Sequence, residues 1–342
     1  MTQLPYSISS RTPIVTGDND HRNTELQAAG LLGSLRYQYW LLKAMQAWEK
    51  NPQHPVYPPY SADLSPAGSK NFTEELRKAG PVVQLFGATN WKKMFRLEIA
   101  EAVQREQQSC SARANDRIAP WQWTFKLIFR HDRNSPIFNK LADKEGFSLA
   151  DELHSLMAFV HQYGWLGAAP QNGLGWVKVQ SEELGTVILP QENPVFAAKD
   201  ILLNRKESKR LQDTLRDYYR DKYSNLAAPH WKRGRYLHSL EHLDKQSPPI
   251  GYEIRRWLRD QMFPPDRYKN KQEEYFGNQK HAGFVHVTHP VVQSDGGWLL
   301  RLRFAARPDT TGDTTRLYPD HLDIAPQFWL DYCEKLLKAK DD

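Results

Sequence analysis

The sequence predicts an α+β protein made of two related modules in tandem. Short runs of alternating apolar and polar residues are interleaved with amphipathic helical segments, the mark of mixed architecture. A glycine-led helix, a Phe-Gly turn and a strand follow one another in each half of the chain, an echo that points to a duplicated βα unit. At 342 residues, 40% hydrophobic and 25% charged, the chain has material for two globular cores.

In order along the chain, residues 6–15 alternate and carry β-branched side chains, which predicts a strand ending in the turn Thr16-Gly17-Asp18-Asn19-Asp20. Gly30-Leu31-Leu32-Gly33-Ser34 then reads as a turn, with Ser34 the N-cap of a helix over 35–50, because Leu35, Tyr39, Leu42 and Met45 recur at helical spacing. Pro52, Pro55, Pro58, Pro59 and Pro66 mark a surface insertion over about 50–80, closed by Leu85-Phe86-Gly87. Strands are expected over 94–103 and 122–129, a helix over 149–163, a glycine-studded loop over 164–175 and a strand over 176–180. Pro190 and Pro194 suggest a boundary, giving an N-terminal module over 1–192 and a C-terminal module over 193–342. A charged helix is expected over 200–233. The echo pairs Gly33 to Met45 with Gly251 to Met262, and Phe86-Gly87 before a strand with Phe276-Gly277 before a strand over 283–288.

Composition excludes several classes. Cys110 and Cys333 are far apart and form no CxxC pair, which argues against a disulfide framework or a cysteine zinc site and fits a reducing interior. No apolar run approaches the roughly 20 residues of a membrane span, and the first residues lack a signal-peptide layout, so a cytoplasmic protein is expected. Lys and Arg exceed Asp and Glu by 46 to 40, a net charge of +6 that permits a polyanionic partner. The 11 Trp, 15 Tyr and 14 Phe residues supply flat rings that either fill a core or stack on bases.

Three segments could meet a nucleic acid. A glycine turn before a helix exposes backbone N–H groups at the positive end of the helix dipole, and Arg36 adds a cation one turn in, so Gly30, Gly33, Ser34 and Arg36 suit a phosphate. The loop over 164–175 follows a helix and precedes a strand, the reverse of a dinucleotide fingerprint, and no Walker A lysine follows; a nucleotide cofactor is disfavoured and none is expected. Trp91, Lys92, Lys93 and Arg96 interleave a ring with cations, the logic by which single strands are held; Lys269, Lys271 and Lys280 sit at the equivalent place in the second half. Each segment has a plain reading as well: a tight turn, an ordinary loop, a solvated basic surface.

Enzymatic signals are weak. His281, His286 and His289 lack the helical HExxH spacing of a metal site, and no metal is expected. Asp18, Asp20 and His21 form an acidic turn that reads mainly as capping. A metal-independent ribonuclease would need a single His with a Lys; His21 and His131 are candidates that no spacing selects.

Taken in order, Thr12-Pro13-Ile14-Val15-Thr16-Gly17, Gly30-Leu31-Leu32-Gly33-Ser34-Leu35-Arg36-Tyr37, Leu85-Phe86-Gly87 and the loop ending Gly173-Leu174-Gly175 resemble the RAMP superfamily of CRISPR-associated proteins. Within it the chain looks most like the two-domain first subunit of type III-B (Cmr) effector complexes. The motifs cover about the first half of the chain; only the internal echo supports the second. The resemblance implies two tandem ferredoxin-like, RRM-related folds and a non-catalytic RNA-binding subunit, with guide RNA, target RNA and other effector-complex subunits as partners and no membrane. It further implies an RNA-facing cleft lined by the Thr16-Gly17 turn and the Gly33-to-Arg36 helix start, with Gly164, Gly167, Gly173 and Gly175 as the superfamily's glycine-rich loop; Arg22, Gln171 and Asn172 are further candidate RNA contacts. Family members carry arginines in that loop where this chain has Ala168-Ala169-Pro170-Gln171-Asn172, so its amides and backbone would replace phosphate-binding side chains. A guide-processing endoribonuclease and a protein-binding adaptor are the alternatives.

Overall fold

A computed structural model describes residues 2–16, 25–50, 64–66, 69–90, 92–107, 121–131, 148–167, 174–182, 184, 196–224, 250–263, 276, 285–305 and 326–339. The N-terminal part runs β1 (Thr2–Ser10), α1 (Ala28–Lys50), α2 (Phe72–Lys78), α3 (Gly80–Phe86), β2 (Arg96–Gln107), β3 (Trp121–His131), α4 (Leu149–Gln162) and β4 (Val177–Gln180). Its strands pair antiparallel in the order β2-β3-β1-β4. Setting aside the short α2 and α3, this is the βαββαβ, split-βαβ arrangement of ferredoxin-like folds.

Alternation decides the faces. In β3, Trp123, Phe125, Leu127 and Phe129 are buried with Tyr6 and Ile8 of β1 beneath α1 and α4. The intervening Thr124, Lys126, Ile128 and Arg130 lie on the opposite face, in register with Ser9, Ser7, Pro5 and Gln3. Ser148 caps α4, its hydroxyl accepting the Asp151 N–H at 3.3 Å. A small second cluster of Leu64, Phe72, Leu76 and Val83 seats α2 and α3 beside the main core.

The C-terminal part contains β5 (Phe196–Leu203), α5 (Arg205–Ser224), α6 (Gly251–Met262), β6 (Val285–Val287), β7 (Val291–Val292), β8 (Trp298–Ala305) and α7 (Pro326–Lys338). Its sheet has the order β5-β8-β6, with β7 also on β8, all antiparallel. Buried side chains from both sheets join one apolar cluster.

Several expectations need correction. The α1 helix begins at Ala28, so Gly30 and Gly33 lie inside it rather than in a turn before it, and Ser34 is an interior residue rather than the N-cap. Residues 200–203 end a strand rather than starting a helix: Ile201 and Leu203 face the core while Asp200 and Leu202 face away, a period of two. Residues 72–78 of the expected insertion form α2, and α3 follows at its end, while most of its prolines, the Asp18–Asp20 turn, and Pro190 and Pro194 lie outside the described residues.

Candidate nucleic-acid interface

The segment after β1 threads between the start of α1 and both stems of the glycine-rich loop. The Arg11 N–H donates to the Trp176 carbonyl at 2.8 Å, and the Trp176 N–H donates to Thr12 Oγ1 at 2.9 Å. The Gly175 N–H donates to the Pro13 carbonyl at 2.8 Å, and the Leu166 N–H closes the loop base on the Gly175 carbonyl at 3.0 Å. Thr16 Oγ1 accepts the Gln27 N–H at 2.9 Å, fastening the chain just ahead of α1. Ser34 Oγ donates to the Trp165 carbonyl at 3.3 Å.

Glycine is needed at two kinds of place here. Gly167 and Gly175 have φ near +88° and +81°, which other residues adopt only under strain. A β-carbon on Gly167 would also fall 2.6 Å from the Val15 carbonyl oxygen, and one on Gly30 would overlap the Thr16 carbonyl. Thus Thr16, Gly30, Ser34, Gly167 and Gly175 do come together. Gly167 and Gly175 are buried, Gly30, Ser34 and Arg36 are half-buried, and Gly33 is exposed on α1 with open space beside it.

Cations surround this junction. Trp176 lies between two guanidiniums, Arg11 at 4.9 Å and Arg301 at 5.1 Å from its ring centre. Arg303 lies 5.3 Å from the Trp165 ring, against which His286 also stacks at 5.2 Å. The field registers on His161 near the end of α4: burial first, then Arg301, Lys178 and Arg11, hold its pKa below the ordinary histidine value.

Lys92, Lys93 and Arg96 are exposed but lie elsewhere. Arg96 pairs with Arg130, and Arg130 with Gln3, at the first end of β1, whereas the glycine junction begins just past Ser10. Seven residues of strand separate them, roughly 24 Å. The two groups therefore occupy opposite ends of the sheet. Gly17, Arg22, Trp91, Gln171, Asn172 and Gly173, with His21, His281 and the three second-half lysines, lie outside the described residues.

Of the remaining histidines, His131 ends β3 opposite Thr2. His289 is fully buried and accepts the Gly251 N–H on Nδ1 at 3.0 Å; burial lowers its pKa to about 3. Among the described residues no group of three or more His, Cys, Asp or Glu is placed to hold a metal ion. Sequence reasoning missed Arg11, Arg301, Arg303 and Trp176. One signal was available: in Trp298–Ala305 the alternation puts Arg301 and Arg303 on one face of a strand otherwise rich in leucine.

Comparison with protein-family models matches residues 7–178 to the RAMP superfamily. A search of curated proteins finds no match.

Proposed function

The chain belongs to the RAMP superfamily, and from that premise we propose that it is a non-catalytic RNA-binding subunit of a type III CRISPR ribonucleoprotein, contacting guide or target RNA. The observation that carries this reading is the convergence of residues 11–16, the start of α1 and both stems of the glycine-rich loop into one arginine-ringed junction. Half-buried Arg11 and exposed Lys178 are the cations there that suit a sugar-phosphate chain, which needs positioning contacts more than base readout. Between the junction and the Lys92-Lys93-Arg96 patch runs the outer face of the first sheet, on which Lys178 stands exposed while Lys126 and Arg130 are paired with Glu101 and Glu98. Sequence selection would come from guide–target pairing.

The finer reading is two tandem ferredoxin-like modules, as in the first subunit of type III-B complexes. The shared order of three strands, β1-β3-β2 and β5-β8-β6, supports it.

Binding of the full chain to single-stranded RNA, measured across a salt series, tests the proposal. Replacing Lys92, Lys93 and Arg96 together with Ala should weaken binding to all sequences alike and flatten the salt dependence by about 0.7 per lost phosphate contact. Unchanged affinity and slope would favour a protein-binding adaptor; discrete metal-independent cleavage of the RNA would make the chain an endoribonuclease.

A further inference from the structure

Two residues on the outer face of β8, Arg301 and Arg303, grip the two stems of the glycine-rich loop. Arg301 splits its guanidinium between partners. Nε and Nη2 hold the Asp200 carboxylate at 2.5 and 3.0 Å, while Nη1 donates to the His161 and Gln162 carbonyls at 2.7 and 3.1 Å. Those carbonyls end α4, and a cation there satisfies acceptors that have no partner within the helix. The same guanidinium lies over Trp176, the first residue after the loop's closing glycine. Two residues on, Arg303 Nη1 donates to the Gly164 carbonyl at 2.5 Å and its guanidinium covers Trp165, on the incoming stem.

Arg303 is only 2% exposed, and among the described residues its Nε finds no hydrogen-bond partner. A buried, incompletely satisfied guanidinium is costly, so its retention calls for a role beyond packing. Gln38 of α1 presses on the same spot: a β-carbon on Gly164 would fall 2.7 Å from Gln38 Oε1. The incoming stem is thereby held from α1 on one side and β8 on the other.

We propose that Arg301 and Arg303 are positioning residues that hold the two stems of the glycine-rich loop in place, so that the RNA grip of the N-terminal part depends on the C-terminal sheet. The consequence for RNA rests on the reading above; the effect on the loop does not. Neither arginine contacts RNA itself, since Arg303 is buried and Arg301 is engaged by Asp200 and α4.

The test uses the full chain with Arg303→Met and Asp200→Asn variants, a single-stranded RNA over a salt series, and hydrogen exchange resolved to the loop stems. Arg303→Met should weaken RNA binding five- to tenfold with the salt slope unchanged, because no phosphate contact is lost. Exchange at the Leu166 and Gly175 amides should accelerate while the β1 and β3 amides stay protected. Asp200→Asn guards against a variant that fails to fold, and it separates the explanations by sign. It removes one negative charge, so bulk electrostatics would tighten RNA binding, whereas a loosened Arg301 should weaken it two- to threefold. Binding at or above the parent level in Asp200→Asn, or a slope in Arg303→Met that falls by about 0.7, overturns the proposal. Loop amides as slow in both variants as in the parent would also overturn it. A parent chain that binds no RNA defeats the functional reading instead, while the exchange arm still decides the loop.

Discussion

The two sheets share a strand order but use their outer faces in opposite ways. On the first, Gln3, Ser7, Lys178 and Gln180 stand exposed, and Arg130 and Lys126 pair loosely with Glu98 and Glu101 across to β2. On the second, His286 and Arg303 are buried and Arg301 nearly so, because this face docks on the end of α4 and the two tryptophans flanking the glycine-rich loop. An outer sheet face is thus a surface on one sheet and a joint on the other. Both outer faces carry cations. What differs is whether the cations find water and carboxylates, or helix-end carbonyls and indole rings.

That contrast can be broken at the joint first. Trp176 is 1% exposed and sandwiched by arginines from both halves, so Trp176→Ala should cost about 3–5 kcal/mol and strip protection from β8 as well as β4. Denaturant unfolding with strand-resolved hydrogen exchange checks this; loss confined to β4 would mean the sheets do not share the seam.

A pH series sharpens the comparison next. His289 is held neutral in the C-terminal module, with a folded pKa of about 3 against about 6.5 in the unfolded chain. Its contribution is fully present above the unfolded value and is lost as pH falls from about 6.5 toward 3, at up to about 1.4 kcal/mol per pH unit. Asn at position 289 keeps an acceptor for the Gly251 N–H without titrating, so His289→Asn should flatten that slope in urea unfolding. An unchanged slope would place the acid sensitivity elsewhere.

The smallest effect belongs to the exposed face. Lys126→Ala breaks a solvent-facing pair with Glu101 and should leave the unfolding midpoint where it was. A clear loss of stability would mean that the first sheet's outer face is also a joint.

Much of the N-terminal part was legible from local pattern. Trp123, Phe125, Leu127 and Phe129 announced β3 by alternation, and the apolar stripe of α4 announced that helix, though not its Ser148 cap. The start of α1 was misread because glycines at 30 and 33 look like a turn; Gly30 is small because Thr16 packs on it, a contact between distant segments. The missed second half of β5 came from judging residues 200–233 by charge rather than by the alternation of Ile201 and Leu203. At the candidate site the glycines could be named but not their relation to Lys92 and Arg96, which strand register separates.

By itself the sequence determined which side chains turn inward in each strand and helix, since that follows from periods of two and 3.6 acting on near neighbours. It also carried the ordered motifs of the superfamily. Only the tertiary structure decided what the outward residues meet. Whether an arginine on a sheet face ends in water, on a carboxylate or on the last carbonyls of a helix more than a hundred residues away depends on how separate elements pack, and no local spacing encodes that.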